Sequence, residues 1–182
     1  LQVHPATEHP LIKADGEKEM EKLLLVDMDK CTGCKQCSLA CSLIKEDIFD
    51  PARGRIKILK KEDIALGVPL LCEQCEAHPC IKACGENALS RNEKTGIITV
   101  KKDACTQCGS CVDACPYHGI KLHPETGIAI ICDLCNGDPY CVKHCVPGAL
   151  QWVKKTDEQF TLKKKLRSSR MAAYRNIKKE VA

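Results

Sequence analysis

Several familiar patterns are missing from this sequence, and each absence excludes something. Aromatic residues are scarce, only Phe49, Phe160, Tyr117, Tyr140, Tyr174 and Trp152 among 182 residues. No run of 18 apolar residues occurs, so no membrane-spanning helix is expected. The opening stretch LQVHPATEHPLIKADGEKEM has neither an apolar core nor twin arginines, so no secretory leader is expected and the compartment reads as reducing and cytoplasmic. There is no phosphate-cradling glycine loop, no dinucleotide fingerprint and no arguable nucleophile–base pair, so substrate chemistry is not expected of this chain alone. Apolar side chains are also fewer than they look. The hydrophobic share of 44% counts cysteine, and without it 64 of 182 residues remain, about 35%. A purely apolar core would be thin, and small folds of this kind rely on disulfides or metal.

What is abundant is cysteine: sixteen, in four groups of four with none left over. CTGCKQCSLAC holds Cys31, Cys34, Cys37 and Cys41, and CEQCEAHPCIKAC holds Cys72, Cys75, Cys80 and Cys84. CTQCGSCVDACP holds Cys105, Cys108, Cys111 and Cys115, and CDLCNGDPYCVKHC holds Cys132, Cys135, Cys141 and Cys145. Groups one and three have the C-x2-C-x2-C-x3-C spacing of bacterial ferredoxins, and Pro116 follows the last cysteine of group three. Three closely spaced cysteines on a tight loop can bind three irons of a cubane. The fourth, at i+4 from the third, sits one helical turn further on and in such ferredoxins ligates the other cluster of a pair. Groups two and four keep this last step and widen only the loop before it, each with a proline, Pro79 and Pro139. Two alternatives stand beside cubanes. Zinc takes one tetrahedron, usually from two separated knuckles, which three cysteines in seven residues fit poorly. Disulfides need an oxidising compartment.

The formal charge of +4 is uneven. Residues 154–182 carry ten Lys/Arg against three Asp/Glu, net +7, so residues 1–153 sum to −3. Metal-bound thiols are also deprotonated. Four cubanes, each 2− with its thiolates, would bring the chain from +4 to −4 and the body to −11. An acidic body with a basic tail gives no reason to expect nucleic-acid binding.

The chain repeats itself. Leu23-Leu24-Leu25-Val26 precedes Cys31 as Ile97-Ile98-Thr99-Val100 precedes Cys105, and Asp29 with Thr32 matches Asp103 with Thr106. The expected architecture is α+β: two pseudo-symmetric ferredoxin-like halves, 22–93 and 94–153, with small strands and short helices around four cubane clusters. Strands are expected at 22–26, 55–59, 97–100 and 128–131, with helical turns after each third cysteine. The segment 42–71 is longer than its counterpart and reads as an insertion with its own surface. Residues 1–21 read as an N-terminal arm and 154–182 as a basic C-terminal helix or tail. Leu162, Leu166, Ala173, Ile177 and Val181 recur at helical spacing, fitting either packing on the body or docking to a partner.

Around the cysteines, Gly33, Gly109 and Ser110 are small enough to let backbone N–H groups approach sulfur. Lys30, Lys35 and Lys143 would favour a reduced cluster by Coulomb attraction, or stand as solvated surface charge. His78 and His144 lie in ligand loops already supplied with four thiols and are not expected to ligate. Trp152 is expected to pack against a cluster.

Groups in this order, with the second and fourth widened, resemble the four-cluster ferredoxin-like electron-transfer subunits of multi-subunit oxidoreductases. That class serves molybdenum and tungsten pterin enzymes such as formate dehydrogenase and the dimethyl sulfoxide reductase group, hydrogenases, and carbon monoxide dehydrogenase. The stretch VDMDKCTGCKQCSLACSLIKEDIFDPARGRIKI looks most like small subunits paired with tungsten enzymes of the aldehyde ferredoxin oxidoreductase type, including class II benzoyl-coenzyme A reductases of strict anaerobes. The likeness covers residues 22–153. It implies crossed ligation: Cys31, Cys34, Cys37 with Cys145; Cys132, Cys135, Cys141 with Cys41; Cys72, Cys75, Cys80 with Cys115; and Cys105, Cys108, Cys111 with Cys84. Ser42 and Gly85 stand where the family has proline, but no ligand is replaced. The implied role is an electron wire, not itself an enzyme, in an anaerobic complex with a tungsten or molybdenum pterin catalytic subunit and a further donor or acceptor subunit or ferredoxin. A freely diffusing polyferredoxin and a zinc-stapled binding module are the alternatives.

Overall fold

The computed structural model describes residues 21–64 and 66–181, so the expected arm lies, apart from Glu21, outside the described residues. Mixed small strands and helices make an α+β arrangement. Among the described residues eight strands form four antiparallel pairs. They are β1 (Lys22–Val26) with β8 (Leu150–Lys154), β2 (Lys57–Lys61) with β3 (Leu66–Leu70), β4 (Leu89–Arg91) with β5 (Ile98–Val100), and β6 (Ile120–Leu122) with β7 (Ala129–Ile131). Pairing of β1 with β8 ties the two ends of the cysteine-bearing body together. Pairing of β4 with β5 crosses the boundary between residues 93 and 94.

The expected strands lie within two residues of β1, β2, β5 and β7; their partners carry little sequence signal. β4 and β6 have three residues each, too few for alternation to register. β3, LGVPL, carries Gly67 and Pro69, which read as breakers. A two-stranded ribbon tolerates Pro69 because each strand keeps a free edge. The two tight turns share one design. In β4–β5 the Asn92 Oδ1 accepts the N–H groups of Lys94 and Thr95, both at 2.9 Å. In β6–β7 the His123 Nδ1 accepts those of Glu125 and Thr126 at 3.2 and 3.1 Å. Those bonds leave the His123 proton on Nε2, which lies 2.8 Å from Glu46 and ties this turn to the first helix.

Four helices carry the third cysteines: α1 (Gln36–Glu46), α2 (Pro79–Lys82), α3 (Ser110–Asp113) and α4 (Tyr140–Lys143). Each begins one residue before that cysteine rather than after it. Two apolar cores contain the thiols. One gathers Leu24, Val26, Ile56, Ile58, Leu134 and Leu150 around Cys37, Cys41 and Cys141. The other gathers Leu89, Ile98, Ile120, Ala129 and Ile131 around Cys72, Cys80, Cys111 and Cys115. Cys132 packs against both. Trp152 packs against the first.

The basic tail forms α5 (Asp157–Val181) and lies on its own body. Met171 and Ile177 pack with Val68 and Leu70 of β3, with Tyr174 and Ala173 at the edge. Burying each of the first two side chains contributes about 1.5–3 kcal/mol. The buried stripe keeps Ile177 and Ala173 of the expected one but not Leu162, which is exposed; Val181's side chain lies outside the described residues, and Arg170 is the most buried described residue of the helix, 1% accessible. Within the insertion 42–71 the β2–β3 hairpin lies between α5 and the first cysteine loop, while Ile48 and Phe49 are exposed. No described helix is long and apolar enough to cross a membrane.

Candidate functional site

All four cysteine loops adopt one backbone solution. The residue two after the first cysteine is left-handed every time: Gly33, Gln74, Gln107 and Leu134, with φ of 70°, 49°, 63° and 55°. A left-handed residue turns successive N–H groups to one side, making a concavity that suits an anion. For three side-chain-bearing residues this conformation costs on the order of 1–2 kcal/mol each. Glycine announces it only at Gly33; the residue types at the other three positions do not. Gly109, at φ 81°, precedes α3, and Ser110 opens that helix with its hydroxyl 3.4 Å from Cys108 Sγ.

The fourth cysteines share a second device. Asn87, His118 and Gly148 are left-handed three residues after Cys84, Cys115 and Cys145. The turn brings a backbone N–H back to the sulfur: Ala88 to Cys84 at 3.3 Å, Gly119 to Cys115 at 3.4 Å and Leu150 to Cys145 at 3.4 Å. Group one departs from this because α1 runs on past Cys41 to Glu46. Its amide arrives from Arg55 instead, at 3.1 Å, across the insertion.

The thiols assemble across groups. Cys37 faces Cys31, Cys34 and Cys145; burial, then thiolate charge on those three, pushes its pKa up to about 12. Cys72 is likewise pushed up to about 12, by burial and then by Cys115, Cys80 and Cys75. Burial and then Cys115 push Cys80 up to about 11. Cys111 is raised by burial and faces Cys105, Cys84 and Cys108. Cys132 and Cys141 are raised well above the ordinary thiol by burial, and both face Cys41. Such thiols stay neutral without a cation and ionise against one, releasing protons as it binds.

Two of these sets line cavities. Cys31, Cys34, Cys37 and Cys145, with Ile58, Pro69 and Leu150, line one. Cys84, Cys105, Cys108 and Cys111, with Leu89 and Val100, line the other. Among the described residues no three His, Cys, Asp or Glu side chains are disposed around a single metal ion. In these two cavities the facing donors are four cysteine sulfurs and the remaining walls are largely apolar. His78 Nε2, inside the group-two loop, is buried with no partner among the described residues, which suits a loop closing around a further group. His144 lies on the wall of the first cavity. This donor set fits a cubane.

The expected lysines are mostly engaged elsewhere: Lys30 with Asp27 at 3.4 Å, and Lys143 with Asp138 and over the Tyr140 ring at 4.6 Å. Lys35 opens α1 in the left-handed region without a side-chain cap. The buried lysine near the thiols is Lys45, unmarked by sequence. It pairs at 2.7 Å with Asp133, next to Cys132.

Residues 65–155 match the model of the 4Fe-4S dicluster domain, and residues 28–43 match a 4Fe-4S binding domain. The chain belongs to the 4Fe-4S dicluster ferredoxin family. Together the two matches span all sixteen cysteines, and this ferredoxin binds several [4Fe–4S] clusters and transfers electrons through them. It is 42% identical over 131 residues to the aliphatic sulfonate oxidoreductase polyferredoxin-like subunit of Pyrococcus furiosus, covering 71% of this chain and 75% of that one. It is 33% identical over 143 residues to the thiosulfate reductase electron transfer subunit PhsB of Salmonella typhi, covering 71% and 74%. A chain of the active site complex BamBC of benzoyl coenzyme A reductase with 1,5 dienoyl-CoA is 27% identical, covering 82% and 90%, with a TM-score of 0.43, a loose structural likeness.

Proposed function

We propose that this ferredoxin holds four [4Fe–4S] clusters in crossed sets and serves as the electron-wire subunit of an oxidoreductase complex. The sets are Cys31, Cys34, Cys37 with Cys145; Cys132, Cys135, Cys141 with Cys41; Cys72, Cys75, Cys80 with Cys115; and Cys105, Cys108, Cys111 with Cys84. The observation that carries this is the position of each fourth cysteine, beside three thiols of a different group. Each cluster, when bound, supplies a one-electron couple. The protein's part is to set its environment: backbone N–H groups bond the sulfurs, apolar side chains exclude water, and Lys45 places a buried positive charge near Cys41 and Cys135. The sets run in a row. Cys141 lies near Cys37, Cys132 packs against both cores, and α2 packs on α3. Cys34 and Cys108, the exposed thiols, belong to the first and last sets. Electrons would enter at one end and leave at the other.

The partner reading rests on the relatives, two of which are named as subunits. It takes the partner as a tungsten or molybdenum pterin catalytic subunit, with a further donor or acceptor, in an anaerobic cytoplasm. The halves 22–93 and 94–153 are read as copies of one duplicated unit. Anaerobically purified protein should contain near 16 iron and 16 sulfide per chain, from the sixteen cysteines. In Cys41→Ser, EPR should show damage to the cluster of Cys132, Cys135 and Cys141; damage confined to the group-one cluster would refute the crossing. Packing of α5 on the body favours a second reading, a freely diffusing carrier, because the helix no longer argues for a docked partner. Recovery of a stable catalytic partner on purification from native cells decides between them.

A further inference from the structure

The row of thiol sets contains one joint that is not covalent within a cysteine group. Between the first two sets the shared helix α1 carries both Cys37 and Cys41. Between the last two, α2 leads directly from Cys80 to Cys84, and α3 from Cys111 to Cys115. From the second set to the third the chain offers no such element, since Cys132 and Cys72 are sixty residues apart. That joint is closed by Gln74. Its backbone N–H bonds Cys72 Sγ at 3.3 Å, its side-chain Nε2 donates to the carbonyl of Cys132 at 2.5 Å, and its Oε1 accepts the N–H of Ile98 at 3.0 Å. Ile98 is fully buried in the second core, so the amide is anchored at its far side while it bridges the two ligand loops.

Gln107, at the equivalent position in group three, is a useful contrast. Both residues are left-handed, but the Gln107 side chain lies along Gly127 in the β6–β7 turn. The bridge is therefore a property of Gln74 and not of a glutamine at that loop position.

We infer that Gln74 is a positioning residue for electron transfer between the two pairs of clusters, holding the Cys132 and Cys72 ligand loops in register and providing a hydrogen-bonded path between them. This rests on the ligand sets proposed above. One electron leaves a reduced centre of one pair and reduces an oxidised centre of the other; no bond is broken and no proton is required. The path runs from Cys72 Sγ through the Gln74 backbone and side chain to the Cys132 backbone, and so to its sulfur. Removing the side chain breaks that path and frees the two loops to move apart.

The test uses the full chain with its clusters, an external one-electron photoreductant, and two substitutions. Gln74→Leu keeps the backbone N–H to Cys72 but removes both side-chain bonds. Gln74→Glu keeps an acceptor for Ile98 and lacks the donor to Cys132. The expected result is full iron and sulfide content in both variants, weakened spin–spin splitting between the two pairs in EPR, and redistribution of the injected electron between pairs slowed about tenfold or more, the order by which a lost positioning contact slows a transfer step. If Gln74→Leu loses iron, Gln74→Glu carries the test alone. Redistribution and splitting at the unmodified level in Gln74→Glu would overturn the inference, because anchoring on Ile98 would then be the whole role. An iron content of the unmodified protein far from sixteen per chain instead defeats the ligand sets, a failure visible before any substitution is made.

Discussion

Arg170 and Glu73 offer the sharpest test of how the tail is joined to the body. The two side chains are 2% and 3% exposed, and Arg170 Nη2 is bonded to Glu73 Oε1. Arg170 Nη1 also lies 3.4 Å from the carbonyl of Val26 at the end of β1. Among the described residues the remaining carboxylate oxygen of Glu73 has only Lys163, at 3.6 Å. Arg170→Met keeps the aliphatic bulk and removes the guanidinium, leaving a buried carboxylate next to Cys72 with one distant, partly exposed partner. Breaking one side of a buried pair costs about 3–5 kcal/mol, and the residual Lys163 contact places this case near 3. With a urea dependence of about 2 kcal/mol per molar, the unfolding midpoint should fall by about 1.5 M. Arg170→Met combined with Glu73→Leu should recover most of that, because apolar replacement of a buried pair is often neutral or better. The assay is anaerobic urea titration of the cluster-loaded protein, followed by far-ultraviolet circular dichroism and by visible absorbance. A single variant with an unshifted midpoint, or a double variant as weak as the single, would show that the pair is not what clamps α5 to the body. The same reasoning changes the meaning of a tail deletion. Removing residues 156–182 strips the cover from β3 and the partner from Glu73, so loss of electron delivery in such a truncation does not identify a docking helix.

Two glycines make further tests by close approach. A Cβ at Gly119 would come within 2.4 Å of the Leu71 carbonyl and 2.5 Å of the Cys72 nitrogen, so Gly119→Ala should displace the group-two loop and lower iron content by about one cluster's worth or more, read by iron and sulfide analysis; full loading would contradict it. A Cβ at Gly67 would meet Cys31 Sγ at 2.9 Å and Gly33 N at 2.8 Å, so Gly67→Val should selectively perturb the EPR of the cluster bound by Cys31, and an unchanged spectrum would remove the hairpin as its cover. Chelation of iron under anaerobic conditions should abolish cooperative unfolding, since the thiols lie inside both cores; a native-like near-ultraviolet spectrum after removal would show that apolar packing suffices. Reloading should be slower at pH 6 than at pH 8, because burial holds Cys37 and Cys72 up near 12 and each must lose a proton to bind iron; equal rates would contradict this.

Much of the site was legible in the cysteine spacing, because a loop that wraps three corners of one object must place its donors within a few residues. The third-to-fourth step was equally readable, since a residue at i+4 lies on the same helix face one turn further along, within reach of a neighbouring site. What the spacing could not show is how the loops are held. Gln74, Gln107 and Leu134 adopt left-handed backbone with residue types that do not advertise it; glycine would have. Arg170 sits in a run of basic residues and reads as part of a solvated face, yet its partner Glu73 lies 97 positions away, beyond any local pattern. The strand partners β4 and β6 escaped because three residues carry no period. The short strands that were anticipated all contain consecutive β-branched or leucine residues, as in Ile98 and Val100 or Leu23 to Val26.

The insertion 42–71 gains a physical reason from the fourth-cysteine amides. In groups two, three and four the chain turns back at once, and a residue four or five positions later supplies the N–H that bonds the cysteine sulfur. In group one α1 continues beyond Cys41, so no such turn can form, and Ser42 and Ile44 are instead buried along the helix. The sulfur still needs a donor, because an anionic ligand in an apolar core is costly without one. Arg55 provides it only because the chain makes a loop over residues 47–54, pinned by Ser38 Oγ donating to the Ile56 carbonyl at 2.8 Å and by the Asp50 N–H donating to Ser42 Oγ at 3.1 Å. Gly54 packs directly on the Ser38 carbonyl, where a Cβ would be at 2.5 Å. Having travelled that far, the chain returns to Cys72 through β2 and β3, and these two strands cover the first thiol set and receive α5. A longer helix at one cysteine group thus entails the loop that satisfies its sulfur, the hairpin that shields its neighbour, and the surface on which the tail is clamped.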